Sequence, residues 1–413
     1  MEEKMPFLGI PFTTKDCIGV KGMLQTAGLV SKKGTKAVKD ADVIVLLREA
    51  GAIPLAITNV SELCMWWEAS NNLYGRSNNP YNTTRIVGGS SGGEGCLLAS
   101  AGSVIGIGSD IGGSIRIPSF INGIFGHKSS TGIVSNQGEY PSAEKELDSF
   151  LSTGPMCRYA CDLLPLFKVL AGKNASKLKL DTKVNIRYLK VYYMEDDGGN
   201  PCVTQVCTEM KMAMKKVITH LENMYGIKSQ KIHLSKMKYS FYIWAHKMAS
   251  VDAPSFSSEM LERKGELNGL LELLKWMCML SKHTLPAIGL SIFEKLCSAV
   301  GSEERSQFVN MCTDLQCEFQ ELLGDEGIFL YPPHPEPALF HHQTIFKTYS
   351  IGYTAIFNVL GLPVTQCPLG LSKDGLPLGI QVVAGKNNDH LTLALAVELE
   401  KMFGGWVCPS PIL

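Results

Sequence analysis

Two glycine-flanked serine turns hold the residues of this chain best suited to chemistry. Gly88-Gly89-Ser90-Ser91-Gly92-Gly93 and Gly112-Gly113-Ser114 both lie in the stretch from Gly88 to Ser119, with an apolar segment between them. Paired glycines let the backbone turn sharply and leave amide N–H groups uncovered, so each turn can present serines beside hydrogen-bond donors. That combination suits attack of a hydroxyl on a carbonyl. A flexible linker and a phosphate cradle are the competing readings. Val104-Ile105-Gly106-Ile107-Gly108 reads as a short buried strand feeding the second turn, which a linker lacks. The lysine of a phosphate loop is missing, and no GxGxxG opens a helix.

A serine hydroxyl is a poor nucleophile until a base takes its proton. Histidines are scarce near the turns, and His127 alone lies close in sequence. A lysine can act as the base if burial and hydrogen bonding hold it neutral. Lys15 follows the apolar run Phe7 to Phe12 and is expected to end a buried strand. The ordinary fate of a lysine is a solvated surface charge.

The order Gly-Gly-Ser90-Ser91-Gly-Gly, then Asp110-x-Gly112-Gly113-Ser114-x-Arg116-x-Pro118, resembles the amidase signature. The resemblance implies an amide hydrolase with a Ser–Ser–Lys triad. Ser114 would be the nucleophile, Ser90 a bridging serine on a cis peptide, and Lys15, in Gly9-Ile-Pro-Phe-Thr-Thr-Lys15-Asp16, the base. The spacings of the three are similar to those of the fatty-acid amide hydrolases within the family, the membrane-anchored type included. Substrates would then be primary fatty-acid amides and N-acyl ethanolamides, cleaved to fatty acid and amine through an acyl-enzyme, with no metal or organic cofactor. A homodimer and a cytosol-facing, membrane- or lipid-droplet-associated location go with the same resemblance. Two further readings stay open: the glutamine-type amidase of an amidotransferase, working with a partner enzyme, and an inactive binding protein with the amidase fold.

In the implied relay, neutral Lys15 takes the proton of Ser90 while Ser90 takes that of Ser114, and the reverse chain protonates the leaving amine. Backbone amides of Ile111, Gly112, Gly113 and Ser114 would hold the oxyanion. Ser91 would support Lys15 or the turn, and Asp110 with Arg116 would form a structural ion pair. Cys64, in Ser61-Glu-Leu-Cys64-Met65-Trp66-Trp67, stands where similar enzymes place a site-lining residue; core packing is the alternative for Met65 and the tryptophans.

These residues need a scaffold. The chain has 413 residues, 45% of them hydrophobic, with 39 basic and 39 acidic side chains. That suffices for a large core and implies neither nucleic acid nor an acidic membrane surface as partner. Asp40 to Ala50 has helical periodicity with Gly51 as its stop, and Ala52 to Ile57 reads as a buried strand. Strand and helix alternate again through Gly92 to Gly108, predicting an α/β fold with helices on both faces of a sheet. By resemblance it is the large, twisted, mixed sheet of the amidase-signature fold, a single domain over residues 1–413. The family pattern carries more residues ahead of the Lys15 strand than this chain has.

Residues 178–346 match the family weakly and form the expected variable substrate or cap region. Val203 to Met224 reads as a solvated amphipathic helix. Residues 270–296 read as two apolar helical pieces broken near Pro286, either a core pair or a peripheral membrane contact beside an acyl channel. Thirteen scattered cysteines with no CxxC read as reduced, mostly buried thiols, without a metal site. Asn59-Val-Ser, Asn82-Thr-Thr and Asn174-Ala-Ser match a glycosylation triplet too common by chance to imply secretion. The charged start Met1 to Lys4 is unlike a signal peptide. Thr348 to Ser372 carries no formal charge, and Pro363 and Pro368 divide it into a helix and a strand.

Overall fold

The computed structural model describes residues 5–298 and 301–410, so Met1 to Lys4 lie outside the described residues. Twelve strands occur among them. The first six are β1 (Pro11–Lys15), β2 (Ile53–Thr58), β3 (Ser70–Asn71), β4 (Gly75–Arg76), β5 (Ile105–Asp110) and β6 (Phe125–Lys128). They are followed by β7 (Ser152–Cys157), β8 (Lys190–Tyr193), β9 (Gln230–Lys231), β10 (Gly327–Tyr331), β11 (Val364–Leu371) and β12 (Pro377–Ala384). Ten of them form one mixed sheet in the order β2-β1-β5-β7-β6-β11-β12-β10-β8-β9, and β3 pairs with β4 separately. The expected α/β fold with a large mixed sheet is what the chain adopts.

The sheet brings the two ends of the chain together. Central β11 and β12 come from the carboxy-terminal part of the chain, yet β11 pairs antiparallel with β6. The segment around 178–346 supplies β8, β9 and β10 at one side. At the other side β1 runs parallel to both β2 and β5. Parallel strands end on the same edge, so the last residues of β1, β2 and β5, which are Lys15, Thr58 and Asp110, share one rim of the sheet. Strand ends at such a rim are where α/β sheets place ligands.

β5 is buried along its whole length, as its apolar run predicts. β2 is not: Ile53 and Leu55 are each 54% exposed. It is an edge strand with β1 as its one neighbour in the sheet, and the face that carries Ile53 and Leu55 is open to solvent. The helix expected before it forms at Asp42–Glu49. The amphipathic segment of the variable region forms Thr208–Tyr225, burying Met210, Ala213, Met214, Val217 and Leu221 along one face. Thr348 to Ser372 does divide into a helix, Gly352–Val359, and a strand, β11.

Residues 270–296 form helices Gly269–Met277 and Leu285–Ser298, with Pro286 in the first turn of the second, where a missing N–H costs nothing. The core-pair reading fails for the first helix. Leu270, Leu271, Leu274 and Met277 are more than half exposed, and Met279 is 93% exposed in the turn beyond it. The second helix faces inward, with Ile288 fully buried. All thirteen cysteines are free thiols, but only Cys17, Cys157, Cys312 and Cys367 are buried, because most of the others sit on loops and outer helix faces.

Beneath the rim lies a buried carboxyl. Glu94, on the helix Gly92–Ala99, accepts hydrogen bonds from Thr13 of β1 at 2.8 Å and Thr58 of β2 at 2.7 Å. Burial pushes its carboxyl up to about 8, against the hydroxyls that favour the ionised form. A carboxyl raised in the fold contributes stability that is complete below its unfolded value and is lost as pH rises to the folded value. The native state should therefore weaken between about pH 4.5 and about pH 8 through this group. Glu94→Gln, which cannot ionise, is expected to flatten that dependence, raising the unfolding temperature at pH 8 relative to the parent and changing it little at pH 5. Parallel slopes in a thermal-unfolding series over that range would contradict the assignment.

Candidate active site

Lys15 reaches the rim as the last residue of β1 and is 1% exposed. Its Nζ lies 2.7 Å from Ser90 Oγ, 3.0 Å from Ser109 Oγ and 3.2 Å from the Ser109 carbonyl. An ammonium would donate all three bonds. A neutral amine would donate the two to Ser109 and accept the proton of Ser90, the arrangement a base requires. Ser90 is fully buried, and the Gly89–Ser90 peptide bond is cis, as the resemblance implies.

The helix Gly92–Ala99 starts immediately after the two serines, and its first turn packs hard against the strand end before it. A Cβ on Gly93 would lie 2.4 Å from the Asn59 amide nitrogen, so glycine is required there for backbone-to-backbone contact. This differs from the expectation that both glycine clusters expose amides. In the first cluster the glycines admit neighbours.

Ser114 follows β5 and precedes the short helix Arg116–Ile121. It lines the same cavity as Lys15, Ser90 and Ser109. Its carbonyl accepts from the Ser91 amide at 3.2 Å, which ties the two serine turns together. Among the described residues no hydrogen bond joins the Ser90 and Ser114 hydroxyls.

The amides around Ser114 divide. Gly113 N–H donates to Asp110 Oδ1 at 2.7 Å, so it is already occupied, and the expected cup of four loses one member. Gly113 has φ +125° and a Cβ there would lie 2.2 Å from Thr354 Oγ1, which explains the glycine without any role toward an oxyanion. The amides of Ile111, Gly112 and Ser114 have no protein acceptor among the described residues. Their direction is fixed from behind. Trp244 Nε1 donates to the Ile111 carbonyl at 3.0 Å and Thr354 Oγ1 to the Gly112 carbonyl at 2.6 Å. A trans peptide points its N–H opposite its C=O, so Trp244 holding the Ile111 oxygen also aims the Gly112 N–H.

Asp110 and Arg116 form the expected ion pair at 2.9 Å, with both side chains fully buried. Arg116 also donates to the Thr354 carbonyl, Gln381 and Asn358. Asp110 accepts from the amides of Gly113 and Ile115, so the pair frames the Ser114 turn. Burial pushes the Asp110 carboxyl up, but the Arg116 charge and the hydrogen bonds outweigh it and hold the group well below the usual carboxylate range. Ser91 donates to the Ser109 carbonyl at 3.3 Å and makes no bond to Lys15, so of its two expected roles it fills that of supporting the turn. His127, the alternative base, is buried in β6 against Thr365 and Asp389, tied into the sheet. Cys64 lines the cavity, as do Met65, Trp66 and Trp67 in its second lobe.

Burial lowers the basicity of Lys15, while Cys64, Cys17, Glu139 and Asp110 raise it, and together they carry it above the ordinary lysine value. Neutral lysine by burial alone is therefore not what the site provides. The shift favours the ammonium, and Lys15 becomes a base as pH rises. Ser109, Glu139, Cys17, Trp244 and Thr354 join the site without having been expected from sequence. Ser109 had a signal, since it stands beside Asp110 at the end of a strand parallel to the lysine strand. Trp244 had none, lying in the variable segment.

The cavity has two lobes that meet at Ser114. The larger is about 550 Å³ and the smaller about 410 Å³. Ile111, Trp244, Leu290 and Phe293 line both, and Phe241, Ile345 and Ile351 add to the smaller. These are volumes typical of small-molecule sites with a mostly apolar wall. Among the described residues no cluster of His, Cys, Asp or Glu could hold a metal ion.

Comparison with known proteins gives a consistent result. The family model described as Amidase matches residues 1–393. The human protein named fatty-acid amide hydrolase 2 is 52% identical over 99% of this chain and 78% of its own length. Fatty-acid amide hydrolase 2-A of Danio rerio is 49% identical over 99% of this chain and 77% of its own. Among solved structures, a glutamyl-tRNA(Gln) amidotransferase protein from Thermotoga maritima superposes with a TM-score of 0.76 at 22% identity, covering 99% of this chain and 87% of that one, which speaks to the fold alone.

Proposed function

The chain belongs to the amidase family and is an amide-cleaving hydrolase, and from that premise we propose that it acts on long-chain fatty-acid amides through Ser114, Ser90 and Lys15. The products are a free fatty acid and ammonia or an amine, as expected for primary amides and N-acyl ethanolamides. The observation that carries this reading is the pair of apolar lobes meeting at Ser114. A carbonyl seated at the junction has room for a long apolar tail in one lobe and a path for the amine in the other.

In this mechanism neutral Lys15 draws the proton from Ser90 as Ser90 draws that of Ser114, whose oxygen bonds to the carbonyl carbon. The oxygen's new charge rests on the free amides of Ile111, Gly112 and Ser114. Collapse of the adduct breaks the C–N bond, and the proton returns through Ser90 to the departing nitrogen. Water then attacks the acyl-enzyme with the same groups acting in turn, which frees the fatty acid and restores Ser114.

The exposed apolar side chains of Gly269–Met277 and the turn after it support a peripheral contact with a lipid surface. Leu285 and Leu290 of the next helix line the cavity, so such a contact would lie beside the lobes that receive the tail. No helix among the described residues is long and apolar enough to cross a membrane.

A glutamine-type activity would need a counter-charge for the α-carboxylate; among the described residues no arginine lines either lobe, and Lys295 in the larger lobe is the one cation there besides Lys15. The test is a side-by-side assay with oleamide, a long-chain N-acyl ethanolamide, shorter acyl amides and glutamine. Each buried methylene is worth about 0.8 kcal/mol, so removing four from the acyl chain should lower kcat/KM on the order of a hundredfold. Glutamine should be hydrolysed more slowly still. A preference for glutamine, or indifference to chain length, would reject the substrate class.

A further inference from the structure

We infer that Glu139 is a positioning residue for the base: through Cys17 and Ser109 it holds the proton of Lys15, so that its charge sets the pH at which the enzyme becomes active. The inference rests on the proposed role of Lys15. It begins with an unbroken line of polar contacts. Lys15 Nζ lies 3.0 Å from Ser109 Oγ, that hydroxyl lies 3.5 Å from Cys17 Sγ, and Cys17 Sγ donates to Glu139 Oε2 at 3.6 Å. Thr153 Oγ1 donates to the other carboxyl oxygen at 2.6 Å. The donors can all point the same way, from the lysine toward the carboxyl, which is the order expected when the ammonium stands at one end and a carboxylate at the other.

Glu139 comes from the loop between β6 and β7, is buried, and lines the cavity with Lys15 and Ser114. No arginine or second lysine pairs with it among the described residues, so Lys15 is the cation it faces. Burial pushes the Glu139 carboxyl up and outweighs Lys15 and the bonds from Thr153, Ser109 and Cys17, which draw it down, so the group lies above the ordinary glutamate value. The other groups facing Lys15 are accounted for. Asp110 is matched by Arg116 and burial keeps the Cys17 thiol protonated; if Cys17 turns its one S–H from Glu139 to Cys64, that bond and Lys15 draw Cys64 toward its thiolate. Glu139 is thus the carboxylate near Lys15 that no other cation matches, and Cys64 is the second group whose negative charge favours the ammonium.

This placement acts in the reaction as well as at rest. When Lys15 accepts the proton of Ser90 it gains a positive charge inside the protein, and a fixed negative charge nearby stabilises that state more than the one before it. The cost is a base that sheds its proton later on the pH scale.

The experiment reads the initial rate of labelling by a fluorophosphonate probe against pH for the full chain and for Glu139→Gln, Glu139→Ala and Glu139→Asp, each normalised to folded protein. Both neutral variants should move the midpoint of the acid limb down by about one pH unit, the order expected for one unit charge at short range and an effective dielectric near 20. Their plateau rates should fall, because a weaker base follows. Glu139→Asp should keep the parent midpoint to within about 0.3 unit, because it retains the charge that sets the shift. A folded neutral variant with the parent midpoint, or an Asp variant that moves as far as the neutral ones, would overturn the inference. Ser114→Ala is run alongside: persistent labelling there would reject the nucleophile, whereas its loss together with unmoved midpoints would reject the Glu139 role alone.

Discussion

Ser114→Ala is expected to lower amide hydrolysis on the order of ten-thousand-fold or more and to leave the fold in place. Among the described residues, the hydrogen bond of Ser114 to the scaffold is the one its carbonyl accepts from the Ser91 amide, which alanine retains. The variant loses the bond-forming oxygen, and the remaining rate would come from positioning and from the amides of Ile111, Gly112 and residue 114. Lys15→Ala and Ser90→Ala should each fall to within about tenfold of the same floor, because three groups that pass one proton act as a unit. Combining any two should add little. The measurement is turnover of a fatty-acid amide together with thermal unfolding of each variant. Separate, multiplying losses for Lys15 and Ser114 would mean that the two do not share a proton path. Lys15→Ala carries a further complication that the unfolding data resolve, since it removes the amine from the buried Ser90 and Ser109 hydroxyls, of which Ser109 keeps its contact with Cys17.

The rim of the sheet is legible in the sequence because several local rules agree there. The apolar runs of β1 and β5 predict buried strands, two parallel strands bring their ends to one edge, and the ends are Lys15 and the Asp110 turn. The Asp110–Arg116 pair is expected from the residues of the amidase signature. What cannot be read depends on contacts distant in sequence. Glu139 is brought to Cys17 by a single backbone bridge between its loop and Ile18, and Trp244 reaches the Ile111 carbonyl from a helix in the variable segment. Neither residue has a neighbour in sequence that hints at its partner. The burial expected of β2 is absent because an apolar run does not say whether a strand lies at an edge. The outward face of Gly269–Met277 is hidden for the same reason: periodicity shows that a helix has an apolar side, not what covers it. The Gly113 amide is not the free donor expected, because a glycine in a donor-rich turn looks the same in sequence whether its N–H is free or occupied.

The largest loss of stability should follow from Arg116→Met. The guanidinium is fully buried and bonds to Asp110, Asn358, Gln381 and the Thr354 carbonyl, which draws β5, β12 and the helix Gly352–Val359 to one point. Removing it leaves Asp110 ionised and uncompensated in the core. Breaking one side of such a pair costs about 3–5 kcal/mol, a large part of the roughly 5–15 kcal/mol that holds a domain together. The folded fraction should drop and activity with it. Asp110→Asn added to Arg116→Met removes the stranded charge while keeping an acceptor for the neighbouring amides, so the double variant should recover about 1 kcal/mol or more. The pH dependence separates this account from simple loss of packing. A carboxyl whose folded value is depressed adds stability above its unfolded value and loses it as pH falls. The parent should therefore weaken below the ordinary carboxylate range through Asp110, and Arg116→Met should lose less on acidification, since protonation then relieves its isolated charge. Urea midpoints for the parent, the single and the double variant at pH 7 and pH 4 supply all the comparisons. If the double variant is no more stable than the single one, the Asp110 charge is not what makes Arg116 necessary, and the role of the guanidinium reduces to the volume it fills.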